Sequence, residues 1–127
     1  MNYKRPVNLD LGSLKYPPMA IASILHRVSG LILFLLLPIM LYLLHYSLAS
    51  AESFECMHNL LISNGLCKLI FWAFSTAWTY HLLAGTRHLL MDIGVGETVS
   101  AGKLSAYLVI GLAILSAAVL GVYIWSM

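Results

Sequence analysis

Residues 78–92 read WTYHLLAGTRHLLMD and lie at the end of an apolar run. On an α-helix, steps of four, seven and eleven residues return to nearly the same face. Four residues occur at those steps and form one stripe, called the histidine stripe below: His81, Gly85, His88 and Asp92. Polar stripes of this kind are costly against lipid, so this face is expected to meet another helix.

The composition indicates an integral membrane protein. The chain has 127 residues, of which 61% are hydrophobic and 9% are charged, whereas soluble domains carry roughly 25% charged residues. Three segments are long and apolar enough to cross a bilayer. They predict one all-α membrane-anchor domain, residues 1–127, with transmembrane helices at about 22–48, 64–91 and 103–127.

The connection after the first span and the small number of helices lead to expectations about local structure and about assembly. Residues Ser50–Ser63 are expected to form a polar loop, and Cys56 and Cys67 are expected to be free thiols. Three helices make a poor closed bundle, so we expect the chain to be part of a hetero-oligomeric helical bundle. Membrane lipid surrounds such a bundle, and the net charge of +2 is not interpreted as affinity for nucleic acid.

The distribution of basic residues predicts the orientation. Six of the seven lysine and arginine residues fall on one side of the predicted spans, which the positive-inside rule places in the cytoplasm together with the N-terminus. The first 20 residues show neither a signal peptide's apolar segment nor the Arg- and Ser-rich pattern of a mitochondrial transit peptide. We therefore expect a multi-pass protein of a bacterial inner membrane.

A second polar stripe lies at the cytoplasmic end of the first span. Its members follow the i, i+3, i+4, i+7 spacing of one helix face: Ser23, His26, Arg27 and Gly30. Arg27 alone is equally consistent with an ordinary interfacial anchor, but the set on one face favours a site. Both stripes occupy the inner leaflet, where antiparallel packing could bring them together.

The role of His81 stays open from its position alone, because a membrane histidine can bond another helix, relay protons or bind metal. Its surroundings favour haem. Gly85 offers clearance for a flat group on the same face. Cationic or protonatable side chains towards the cytoplasm offer partners for haem propionates: Arg27, His26, Arg87 and His88.

A hexacoordinate haem needs a second axial ligand on the opposite side of the iron. His81 and His88 are about 10.5 Å apart along one helix, so both cannot bind one iron. His45 lies at the wrong depth. The second ligand is therefore expected from another subunit.

The second stripe suits a quinone. The quinone carbonyls need donors whose hold strengthens as negative charge develops during reduction. Arg27 offers a permanently charged donor and Ser23 a hydroxyl. Protons could arrive from the aqueous side through His26 or Asp92.

The two stripes resemble motifs of the cytochrome b membrane-anchor subunit of succinate dehydrogenase (respiratory complex II). The matching residues are Arg5-Pro6, then Ser23-x-x-His26-Arg27-x-Ser29, then His81-x-x-x-Gly85-Thr86-Arg87-His88-Leu89-x-Met91-Asp92-x-Gly94. The resemblance extends over nearly the whole chain, with both motifs at the expected separation.

The resemblance implies specific roles. His81 would be an axial ligand of the iron of a haem b shared with a second, smaller anchor subunit, which supplies the other histidine. His26, Arg27 and His88 would lie near the haem, and Ser23, Arg27 and Asp92 near ubiquinone. The chain would anchor a flavoprotein and an iron–sulfur subunit and carry no catalytic residue itself.

Three alternatives remain open at this point. The complex could run in reverse as a fumarate reductase. The chain could be a small proton- or ion-translocating subunit, with His81, His88 and Asp92 as a relay. It could also be a purely structural anchor without a cofactor.

Overall fold

A computed structural model describes residues 15–127. The helices are α1 (Pro18–Ser47), α2 (Ala51–Ser63), α3 (Gly65–Asp92) and α4 (Val99–Ser126). That part of the chain contains no β-strand, so the all-α prediction is confirmed for it. Three helices correspond to the predicted spans, although α1 and α4 begin earlier than residues 22 and 103. The Arg5-Pro6 element lies outside the described residues.

Local sequence signals explain where the long helices begin. Pro18 stands in the first turn of α1, where its missing N–H removes no helical hydrogen bond. Asn64 caps α3 by accepting hydrogen bonds from the backbone N–H groups of Leu66 and Cys67. Thr98 caps α4 by accepting from the N–H of Ala101.

The expectation of a polar loop at Ser50–Ser63 was wrong, because these residues form α2. A capping box begins this helix: Ser50 Oγ accepts from the Ser53 N–H, and Ser53 Oγ accepts from the Ser50 N–H. The exposed Cys56 lies in α2 and Cys67 in the first turns of α3, and both are free, as predicted.

Two of the three predicted spans correspond to helices that are candidates for crossing a membrane by length and composition. Helices α1 and α4 are each long and apolar enough to cross a bilayer. Helix α3 is a third candidate only together with α2, from which it departs by a bend of 95°. Apolar side chains are exposed along the surface, with Phe34 at 75% and Val122 at 74%, as expected where lipid or partner helices cover the protein.

Helix α3 packs against both α1 and α4. Its Tyr80 and Ala84 form a buried cluster with Val109 and Ala113 of α4. Small residues bring the helices close together, since a Cβ atom added to Gly102 would lie 2.6 Å from the sulfur of Met19. Close packing through small side chains is typical of membrane helices, and here it brings α4 against the start of α1.

Candidate functional site

The two stripes meet where α1 packs against α3. The imidazole rings of His26 and His81 are stacked, with centroids 4.1 Å apart and planes inclined by 19°. The ring of His88 lies 5.2 Å from that of His26, tilted by 44°. The expected juxtaposition of the stripes is therefore observed, and its centre is a cluster of three histidines.

The hydrogen bonds of His81 determine which ring nitrogen carries the proton. Nδ1 lies 3.1 Å from Ser29 Oγ and 3.2 Å from the backbone carbonyl oxygen of His26. A carbonyl oxygen can only accept, and the Ser29 hydroxyl already donates to that same carbonyl over 2.8 Å. Nδ1 must therefore be the donor, which leaves the lone pair of a neutral imidazole on Nε2.

The ring of His81 is also held against α1 by its shape. A Cβ atom at Gly30 would lie 3.1 Å from His81 Cε1, closer than side chains normally approach. Glycine at this position therefore allows the imidazole to rest on the backbone of α1. The stacked His26 ring covers a face of His81, whereas the Nε2 lone pair lies in the plane of the ring and is not covered by this stacking.

His26 carries an unsatisfied polar atom in this cluster. Its Nε2 is buried and has no hydrogen-bond partner among residues 15–127. The same atom would lie 3.5 Å from a Cβ atom added to Gly85, so the expected clearance at Gly85 is occupied by His26 here. A buried polar atom without a partner is uncommon in folded proteins and indicates a site for a further group.

The side chains expected near a quinone are as exposed as the histidine rings or more so, and they lack hydrogen-bond partners among the described residues. Arg27 and Asp92 are exposed, and Ser23 is half-buried. Their side chains make no hydrogen bond to other residues of the described segment. Helical spacing puts Arg27 one turn from Ser23 and next to His26, so both lie beside the histidine cluster.

Arg87 does not join the cationic group expected near the propionates. Its Nε donates to Ser105 Oγ over 2.9 Å and its Nη2 to the carbonyl oxygen of Gly102 over 3.2 Å. Both partners belong to α4, and Arg87 is only 6% exposed. The grouping of Arg87 with Arg27 was therefore wrong, because Arg87 projects from a different face of α3.

Two contacts at the site were not predicted. Ser29 belongs to the first motif but received no role, although its hydroxyl lies against His81. Tyr80 donates its hydroxyl to the carbonyl oxygen of Ala22 over 2.8 Å and so ties α3 to α1. Serine at i+3 from His26 was the available signal for the first contact, whereas no local pattern indicates the second.

The remaining histidines lie away from this cluster. His45 is exposed in the last turn of α1, about 28 Å along the axis from His26. His58 is exposed on α2 beside Phe54. Within the described part of the chain, no three His, Cys, Asp or Glu side chains form a cluster that could hold a metal ion by themselves.

This fold and site define a class: a small helical membrane subunit with a half-buried histidine cluster between two helices. The family model for the transmembrane subunit of succinate dehydrogenase and fumarate reductase matches residues 1–120. The chain therefore belongs to this family. The resemblance to the cytochrome b anchor subunit of succinate dehydrogenase is confirmed.

Relatives from several bacteria match over most of their length. The succinate dehydrogenase cytochrome b556 subunit of Coxiella burnetii is 53% identical over 125 residues, which cover 98% of this chain and 100% of the relative. The subunit of that name from Rickettsia prowazekii is 34% identical, covering 88% of this chain and 86% of its own. That from Paracoccus denitrificans is 32% identical, covering 94% and 92%.

Proposed function

We propose that this chain is the haem b-binding membrane anchor of a succinate:quinone oxidoreductase in a bacterial inner membrane. It would help to pass electrons from succinate oxidation to ubiquinone near the cytoplasmic face. The observation that carries the proposal is the arrangement of His81, whose Nδ1–H is held by α1 while Nε2 keeps its lone pair. A neutral histidine with its second nitrogen hydrogen-bonded is the usual form of a protein metal ligand.

The chemistry of the cluster fits a haem with one axial ligand from this chain. His81 would coordinate the iron through Nε2. His26 lies face to face with His81, with the ring centroids only 4.1 Å apart, so His26 would not be the second ligand. The second axial histidine would come from a second small anchor subunit. When bound, the haem supplies a one-electron redox centre within the membrane.

The polar groups around His81 fit the propionate side of a haem. His26 Nε2 is buried and lacks a partner in the described chain, and a carboxylate could accept a hydrogen bond from it. Arg27 is exposed beside His26, and the ring of His88 lies 5.2 Å from that of His26. Each can donate to a carboxylate, and charge-assisted bonds of this kind are short and strong.

Quinone binding is assigned to Ser23, Arg27 and Asp92. Ser23 and Arg27 lie one helical turn apart and offer a hydroxyl and a guanidinium to a quinone carbonyl. A permanent positive charge favours the reduced, more negative state of the ring during electron transfer. Asp92 is exposed at the end of α3, where it can exchange protons with water and deliver them to the site.

The partners follow from the same proposal. As expected for an anchor subunit of this family, a flavoprotein and an iron–sulfur subunit would oxidise succinate and deliver electrons at the cytoplasmic surface. With N-terminus inside, α3 would cross the membrane as the second of three spans, and the bend of 95° before it would leave α2 along the outer surface. This orientation puts the histidine cluster on the side of the soluble subunits.

The test is the His81→Ala variant of the assembled complex. It is expected to abolish or strongly alter the low-spin haem spectrum while the flavoprotein stays bound. The control is His45→Ala, since His45 is exposed at the far end of α1 and its removal should leave the spectrum unchanged. An intact spectrum in His81→Ala would refute the ligand assignment.

The same measurement separates the alternatives. A proton-translocating subunit or a purely structural anchor would be purified without a visible haem band. Fumarate reduction would give the same spectrum, and comparing rates with a ubiquinone and with a low-potential quinone distinguishes the two directions. The relatives described above carry succinate dehydrogenase names, which favours succinate oxidation.

A further inference from the structure

We propose that Ser29 is a positioning residue that holds His81 in the tautomer and ring orientation needed for metal ligation. This inference rests on the proposed function of His81. It concerns a side chain that would touch neither the iron nor the quinone and would act only through the imidazole.

Ser29 occupies a protected position in the contact between α1 and α3. It is 5% exposed, although it lies in a helix whose other faces are largely open. Its hydroxyl donates to the carbonyl oxygen of His26 in its own helix over 2.8 Å. Because the single hydroxyl proton is committed to that bond, the oxygen presents lone pairs to His81 Nδ1 at 3.1 Å.

The hydroxyl and the carbonyl together act as a two-point acceptor. The His81 Nδ1–H is shared between Ser29 Oγ and the His26 carbonyl oxygen. A rotation of the ring about its Cβ–Cγ bond would break both contacts. The ring edge lies next to Gly30, where even a Cβ atom would come within 3.1 Å of Cε1, so there is little room for a tilt towards α1. The Nε2 lone pair is therefore fixed in direction as well as in tautomer.

The same hydrogen bond affects the strength of the ligand. An acceptor on Nδ1–H makes the imidazole a better electron donor through Nε2. A stronger donor stabilises the oxidised form of a bound iron more than its reduced form. Loss of the Ser29 hydroxyl should therefore raise the midpoint potential of the haem and weaken the orientation of its axial ligand.

The experiment compares Ser29→Ala with Ser116→Ala in the intact complex. Ser116 is a matched control, because its hydroxyl also donates to the carbonyl three residues earlier, that of Ala113, but in α4 away from the histidines. The measurements are haem content, the midpoint potential by redox titration and the low-spin electron paramagnetic resonance signal. Succinate oxidation with a soluble dye reports assembly.

Ser29→Ala is expected to give an assembled complex with a higher haem midpoint potential and a shifted resonance signal, or with haem lost, whereas Ser116→Ala changes neither. Ser29→Cys keeps a weak hydrogen-bond acceptor and should therefore shift the midpoint potential less than Ser29→Ala does. It provides the test of the inference if Ser29→Ala does not assemble. Unchanged haem properties in the Ser29 variants, or equal changes in Ser116→Ala, would overturn the inference. If His81→Ala still removes the haem, that failure leaves the proposed function standing.

Discussion

Two arginines lie at the level of the histidine cluster, and their surroundings differ. Arg87 is 6% exposed and donates two hydrogen bonds to α4. Arg27 is exposed beside His26, and its side chain has no hydrogen-bond partner within residues 15–127. One guanidinium is thus part of the packing between two helices, whereas the other takes no part in packing among the described residues.

The same contrast holds for the two sides of α3. Towards α4, Tyr80 and Ala84 are buried in an apolar cluster, and Arg87 has polar partners there. Towards α1, the His26 Nε2 atom is buried without a partner. Since unsatisfied polar atoms are costly in a protein interior, the α1 side gains most from a bound group. On the α4 side the charged group of Arg87 has its partners, although Thr76 Oγ1, one turn before Tyr80, is also buried without a partner in the described part of the chain.

The largest effect is expected from Arg87→Met. The variant removes two hydrogen bonds from a charged donor, each of which contributes about 1.5–3 kcal/mol. We expect less assembled complex in the membrane and a lower thermal denaturation temperature, with a normal haem spectrum in the fraction that assembles. Lys103→Met, at an exposed position near the start of α4, is the control. Normal assembly with selective loss of quinone reduction would place Arg87 in the ligand site instead.

The next effect in size is expected from Arg27→Leu. Removing one preorganised donor from a site of developing negative charge typically lowers the rate by about 10²–10³-fold. Quinone reduction should fall by about this factor, whereas succinate oxidation with a soluble dye should stay close to normal. Arg27→Lys, which keeps the charge, should retain more quinone activity. Equal loss of both activities in Arg27→Leu would indicate failed assembly.

Helical spacing was sufficient to predict the faces that carry the site. Steps of three, four and seven residues placed His81 and His88 on one face of α3, and His26 and Gly30 on one face of α1. In the structure these two faces are in contact, since His26 lies against both histidines of α3 and Gly30 lies against His81. The same rule could have separated Arg87 from them. Six residues from His81 correspond to a rotation of about 120° away from the histidine stripe.

Other features depend on tertiary packing or on an unusual local signal. The capping box of α2 uses Ser53 in place of the usual Glu or Gln, and the polar residues after Ser50 suggested a loop. The tautomer of His81 depends on how far α1 is rotated, which no sequence period specifies. The contact from Ser29 became visible only when both helices were positioned.

The smallest effect is expected from Tyr80→Phe, which tests whether the two sides of α3 are independent. The variant deletes the buried hydrogen bond from the Tyr80 hydroxyl to the carbonyl oxygen of Ala22 and leaves the ring in the α3–α4 cluster. A neutral hydrogen bond contributes about 0.5–1.5 kcal/mol, so the denaturation temperature should fall slightly.

The control is Tyr107→Phe, at a residue that is 63% exposed, which should leave the denaturation temperature unchanged. The haem spectrum and midpoint potential should be normal in both variants, because the Tyr80 hydroxyl contacts the carbonyl oxygen of Ala22 and none of the histidine rings. A shifted potential in Tyr80→Phe alone would mean that the α1–α3 contact transmits small displacements to His81.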